Sequence, residues 1–133
     1  SAASDVYKRQ LYYRAKAYTK QKADKKAMED YRELAKDTRN SYGAEAKYQV
    51  AQSLYDAKEY AAAEKELLNY IEQSTPHAYW LARSFVLLSD VYHATGKDLD
   101  ARQYLLSLQQ NYQGNDDIES MIESRLSKLK VEN

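Results

Sequence analysis

The sequence predicts an all-α protein: a solenoid of about three helix-turn-helix repeats closed by a C-terminal capping helix. Three observations carry that prediction. A small residue recurs at one point of an apolar helical pattern, at Ala15, Ala51 and Ser89, with intervals of 36 and 38 residues. A second set, Ala27, Ala63 and Ala101, follows twelve residues later each time and repeats both intervals. A fixed period of this size marks stacked supersecondary units that bury their apolar faces against one another. Finally, the 133 residues include only three Gly and one Pro, the scarcity that long helices with brief turns require.

Large residues attend both sets of anchors. Tyr18, Leu54 and Tyr92 lie three residues after the first set, and Tyr31, Leu67 and Leu105 lie four after the second. This pattern resembles the tetratricopeptide repeat, with a small residue and an aromatic or leucine on helix A, then alanine and a large apolar residue on helix B. The resemblance covers nearly the whole chain and implies a right-handed solenoid. Its divisions are residues 11–40 for a first repeat with a truncated start, 41–76 for the second, 77–113 for the third and 115–130 for the capping helix. It speaks to fold and says little of function.

Taken in order, the first helix runs through about Lys20, with Tyr12, Ala15 and Tyr18 on one face. Asp24 is expected to cap the next, whose stripe is Ala27, Tyr31, Leu34 and Ala35. Gly43 is expected to punctuate the passage into the second repeat. There Tyr48, Ala51, Leu54 and Tyr55 form helix A, and Ala63, Leu67, Tyr70 and Ile71 form helix B. Small facing residues such as Ala51 and Ala63 let paired helices approach within about 8–10 Å. In Ser74-Thr75-Pro76, Thr75 is a candidate N-cap and Pro76 fits a first helical turn. The most apolar helix follows, with Leu81, Phe85, Leu88, Val91 and Tyr92, and Gly96 suits its C-terminal cap. Asp98 begins the partner helix, which carries Ala101, Leu105 and Leu108. Asp116 and Glu119 have capping-box spacing before a last helix bearing Ile118, Met121, Ile122, Leu126 and Leu129. A helix without a pair is what a solenoid needs to cover an exposed end.

The first ten residues, SAASDVYKRQ, stand apart. They resemble the translation of a transposase adapter used to tag DNA sequencing libraries. They are therefore set aside from functional reasoning, and the native sequence is expected to begin at Leu11, inside a longer gene.

Composition excludes several classes of function. There is no cysteine, so neither disulfides nor cysteine-ligated metals are possible. No apolar run approaches the roughly 18 residues of a membrane span. Formal net charge is zero, which gives no global field toward nucleic acid. The charge is nevertheless uneven: residues 1–40 hold eleven Lys/Arg against six Asp/Glu, and residues 41–133 hold nine against fourteen. Lys20, Lys22, Lys25 and Lys26 make a basic turn, expected to be solvated. His77 and His93 are sixteen residues apart with no carboxylate cluster at ligand spacing, so no metal and no cofactor is expected. No phosphate loop, nucleophile elbow or paired-carboxylate constellation offers a catalytic residue.

The stretches Tyr42-Gly-Ala-Glu-Ala-Lys-Tyr48 and Thr75-Pro-His-Ala-Tyr-Trp-Leu-Ala-Arg-Ser-Phe85 resemble the C-terminal end of large tetratricopeptide proteins of Gram-negative anaerobes. More distantly they are similar to the repeat proteins of the Tol–Pal system and of outer-membrane β-barrel assembly. Those relatives are non-catalytic adaptors, so the resemblance implies a periplasmic or envelope location and a protein or peptide partner.

Fourteen tyrosines accompany one Phe and one Trp. Tyr18, Tyr31, Tyr70, Tyr92 and Tyr104 fall on or beside core stripes, where a rim hydroxyl still reaches water. Tyr12, Tyr48 and Tyr55 fall where helix A commonly faces the concave side, and Trp80 is expected to buttress the junction between repeats two and three. The candidate groove residues are Tyr12, Lys16, Tyr48, Gln52, Tyr55, Arg83, Asp90 and His93. One class of tetratricopeptide domain clamps a chaperone's C-terminal carboxylate with Lys, Asn and Arg. The matching positions here are Tyr12 and Lys16, Tyr48 and Gln52, and Val86 and Asp90, where Lys16 alone is cationic and Asp90 repels a carboxylate. Three functions fit: an adaptor binding a peptide in its groove, a structural spacer, or a carbohydrate binder using Tyr12, Tyr48 and Tyr55. Aromatics open along one groove favour the first or third, and a filled groove favours the second.

Overall fold

The computed structural model describes residues 2–129. It contains α1 (Ala2–Lys20), α2 (Asp24–Leu34), α3 (Ser41–Asp56), α4 (Tyr60–Glu72), α5 (Ala78–Ala94), α6 (Asp98–Asn111) and α7 (Ile118–Leu126), and no strand among the described residues. Each helix from α1 to α7 packs on the next. In addition α1 touches α3, α3 touches α5, and α5 touches α7, while α2 and α4 do not meet, nor do α4 and α6. Three helix pairs therefore stack as a solenoid that is closed on the side of α1, α3 and α5 and splayed on the other. That makes the odd-numbered helices the concave lining. The seventh helix packs on both α5 and α6, where the first helix of a fourth pair would sit. The cap expected over 115–130 is thus shorter, and Lys130 lies outside the described residues.

All six anchors are buried. Ala15, Ala51, Ala63 and Ala101 have no exposed surface, and Ser89 and Ala27 retain 2% and 4%. Ser89 satisfies its hydroxyl by donating to the Val86 carbonyl at 2.6 Å, so a polar residue serves at an apolar crossing without an orphaned group. One cluster of buried side chains runs from Leu11 through Leu54 and Leu67 to Val91. A second joins Ala82, Val86, Leu105 and Leu108 to Ile118 and Ile122 of the cap.

The three turns within the pairs share one geometry. Gly96 takes a left-handed conformation (φ 79°), as expected of a C-terminal cap, and Lys22 and Lys58 hold the equivalent places at φ 59° and 61°. The residue after each donates its N–H back across the turn, to the carbonyls of Tyr18, Leu54 and Tyr92 at 2.8, 2.9 and 2.8 Å. These are the bonds of a helix ending on a left-handed residue. Two of the three turns thus place lysine where glycine pays no steric penalty.

Four local expectations are corrected. Asp24 does not cap α2: Ala23 occupies the cap position without a side-chain bond, and Asp24 is the first helical residue, favourable to the helix dipole. Gly43 does not separate repeats but lies inside α3, whose cap is Asn40, accepting from the Tyr42 N–H at 2.8 Å. A Cβ at Gly43 would stand 1.8 Å from the Asp37 carbonyl oxygen, so glycine is needed for close approach rather than for a turn. Thr75 and Pro76 precede α5 instead of starting it, because the Thr75 hydroxyl is spent on Tyr70 Oη at 2.9 Å and His77 holds the cap position. Asp116 accepts from the Ile118 N–H at 3.0 Å and from the Tyr112 hydroxyl, whereas Asp117 occupies the cap position, so no capping box closes with Glu119.

Candidate functional site

Polar links tie the concave lining together at each junction. Between α1 and α3, the Tyr12 hydroxyl donates to Glu45 Oε1 at 2.7 Å, and Lys16 Nζ lies 3.0 Å from Glu45 Oε2. The same ammonium sits 4.9 Å from the Tyr12 ring centroid. Burial alone would lower the Lys16 pKa, but the bonds to Tyr12 and Glu45 outweigh it and hold the group above the ordinary lysine range. Burial, and then the bond to Glu45, raise Tyr12.

Between α3 and α5 the link is aromatic and cationic. Arg83 Nη2 donates to Tyr48 Oη at 2.9 Å, and its guanidinium carbon stands 4.8 Å from the Tyr48 ring centroid. Tyr48 in turn donates to Gln52 Oε1 at 2.8 Å, and Gln52 Nε2 donates to Asp56 at 2.9 Å. Arg83 also donates to Tyr79 Oη, which donates to Asp117 ahead of the cap. Trp80 packs on Tyr48 with centroids 5.5 Å apart, the buttress expected of it. Tyr48 keeps only 5% of its surface exposed, and that burial raises its pKa against the opposing charge of Arg83. Tyr48, a candidate groove residue, is therefore covered by its neighbours.

Between α5 and α7, Arg125 grips Asp90 with two bonds, Nε to Oδ1 at 2.8 Å and Nη2 to Oδ2 at 3.1 Å. Asp90 is thus neutralised by the cap. Val86, also expected to face inward, is buried at 2%.

Two hollows adjoin this lining, one of about 440 Å³ beside Thr19, Gln49, Gln52 and Asp56 and the other beside this last link. The latter, of about 290 Å³, is lined by Tyr55, Ser89, Asp90, His93, Arg125, Lys128 and Leu129. Tyr55 is half-buried against Tyr60, and burial, followed by the charge of Asp90, raises its pKa. His93 is exposed, its Nδ1 2.8 Å from Asp98 Oδ1. Of the expected groove residues, the structure brings Tyr55, Asp90 and His93 together here. Tyr12 and Lys16 meet around Glu45, and Tyr48, Gln52 and Arg83 form a separate network. Glu45 and Arg125 were not foreseen, yet spacing holds their signal. Glu45 and Arg83 are 38 residues apart, one repeat, and Arg125 follows Asp90 by 35 residues just as Arg83 follows Tyr48.

Among the described residues no three His, Cys, Asp or Glu side chains gather in a way that would hold a metal ion. None of the described helices is long and apolar enough to cross a membrane. Comparison with protein-family models finds no match, and comparison with curated proteins finds no relative.

Proposed function

We propose that this chain is a non-catalytic interaction module of tetratricopeptide type, holding a peptide segment of a partner protein on its concave side, in the cell envelope. The observation that carries the reading is the hollow between α3, α5 and α7. Of the hollows beside the concave lining, this one offers an aromatic ring (Tyr55), an aliphatic side chain (Leu129) and a cation (Lys128) together. Such a mixture suits an extended or helical segment bearing an apolar anchor and a nearby carboxylate. A selection from a random-peptide phage library on the whole chain tests it. Enriched peptides are expected to bind at micromolar strength, about −8 kcal/mol, and to lose most of that binding to Tyr55→Ala. Tight binding that depends on a free C-terminal carboxylate would instead indicate a chaperone-tail clamp.

The polar links favour a second reading, a structural spacer. Tyr12, Lys16, Tyr48, Arg83 and Asp90 spend their polar groups on joining successive helices, which fills the groove from within. No enrichment, or enrichment indifferent to Tyr55→Ala, would point to that role.

A further inference from the structure

We infer that the turn between α1 and α2 is a docking site for an acidic, extended segment of a partner protein, separate from the concave hollow. Three equivalent turns lie along one edge of the stack, with their left-handed residues at Lys22, Lys58 and Gly96. Their charges differ sharply. Residues 20–26 carry four lysines against Asp24, residues 56–62 carry Lys58 against Asp56 and Glu59, and residues 94–100 carry Lys97 against Asp98 and Asp100. The fold does not demand the lysines. By the same repeat register Lys20 corresponds to Asp56 and Ala94, Lys25 to Ala61 and Leu99, and Lys26 to Ala62 and Asp100.

The four side chains are exposed, and none stands in a described ion pair. The nearby carboxylates do not cancel them: Asp30 is held by Arg14, and exposed Asp24, Glu29 and Asp56, the last across a shared hollow, are three charges against four. Clustered like charges repel and raise the local potential, a standing cost that a polyanionic partner relieves. Tyr18 sits among them, half-buried, with Lys26 Nζ 5.7 Å and the Arg14 guanidinium carbon 5.9 Å from its ring centroid.

The same features select the partner. Residues 20–26 contain no aromatic residue, and the half-buried Tyr18 alone gives no row of rings on which successive bases of single-stranded nucleic acid could stack. Nor does it have an apolar anchor for a bilayer, since the large exposed apolar residues are Val6, Tyr7, Tyr13 and Leu99, none within the turn. What remains is a cluster of exposed ammonium groups, which match the carboxylates of an acidic peptide as point charges.

The test uses the whole chain and fluorescein-labelled decamers of glutamate and glutamine, read by anisotropy. The glutamate decamer is expected to bind, to weaken steeply between low and physiological salt, and to outcompete anionic phosphatidylglycerol vesicles and duplex DNA at equal charge. The glutamine decamer is expected not to bind. The variant Lys20→Ala/Lys25→Ala/Lys26→Ala uses residues that other repeats place at these positions. It is expected to keep its helicity and lose at least about tenfold in affinity for the glutamate decamer, whereas Tyr55→Ala changes nothing. Equal binding by the triple variant, absence of glutamate binding, or preference for the vesicles or the duplex would overturn the proposal. Because Tyr55→Ala reports on the hollow and the lysines report on the turn, failure of one reading is distinguishable from failure of the other.

Discussion

Helices α1 and α5 occupy the same place in the first and third units, yet one is a surface and the other is a core. Both carry their anchor deep in the stack, Ala15 at 0% and Ser89 at 2% exposure. Around that anchor they diverge. Eight residues of α5 are buried, but only Leu11 and Ala15 of α1. Leu87 and Leu88, both buried, correspond by register to Tyr13, which is 56% exposed, and to Arg14. In α3 the counterpart of Arg14 is Val50, buried beside Arg32 and Ala35 at the end of α2. Among the described residues nothing packs on that side of α1, and Arg14 turns instead to Asp30 of α2, with bonds of 2.9 and 2.7 Å. The anchor is thus set by the partner within a pair, while the flanking positions are set by whether another pair precedes.

The comparison can be broken most directly at the flanking leucine. Leu88→Ala, at a site with no exposed surface, is expected to cost about 2–5 kcal/mol, and Leu11→Ala, at the edge, about 2 kcal/mol or less. Chemical denaturation followed by circular dichroism measures both, and equal losses would mean that α1 is as much core as α5.

Crossings between helices come next. Gly43→Ala drives a methyl group into the backbone of Asp37 and Leu34, which has no side-chain freedom to yield. A loss of about 1–3 kcal/mol is expected, similar to that for Ala63→Leu at the crossing of α3 and α4. An unchanged melting transition in either variant would count against the packing described.

Local opening gives a finer measure. Residues 11–35, with few buried contacts, are expected to exchange their amide hydrogens faster than residues 80–108, because each unit leans on its neighbours. Slower exchange in the first pair would reverse the ranking of α1 and α5.

The smallest effect concerns the turns. Lys58→Gly is expected to stabilise by about 0.5–1 kcal/mol by relieving the left-handed strain, and Gly96→Ala to destabilise by a similar amount. No atom lies within 4 Å of a Cβ built at Gly96, so the second variant isolates backbone conformation from packing.

These positions also show what the sequence could convey. The repeating anchors and their attendant large residues were legible, because both helices of a pair must bury a face at helical spacing. The helix ends were less so. Lys22 and Lys58 do by tertiary constraint what Gly96 does by intrinsic preference, and a lysine in a turn gives no such sign. Gly43 reads as a breaker until its neighbour across the junction is known. The pattern marks Tyr48 as a groove candidate but does not give its depth, since its cover comes from Arg83 and Trp80, more than thirty residues away. Periodicity reports which face of a helix is special. It does not report which later helix will close over it.

The contact pattern of the stack has a mechanical consequence. With the odd-numbered helices touching and α2, α4 and α6 apart, the molecule is built like a fan joined along one edge. A pull on its two ends straightens the arc, parting the joined edge and drawing the outer helices together. The load then falls on the joined edge, and on three fasteners in series: Tyr12 and Lys16 on Glu45, Arg83 on Tyr48, and Arg125 on Asp90. These bonds are short-range and water-replaceable, but α2 on α3 and α4 on α5 share one continuous core, so straightening is resisted by apolar packing as well as by the polar fasteners.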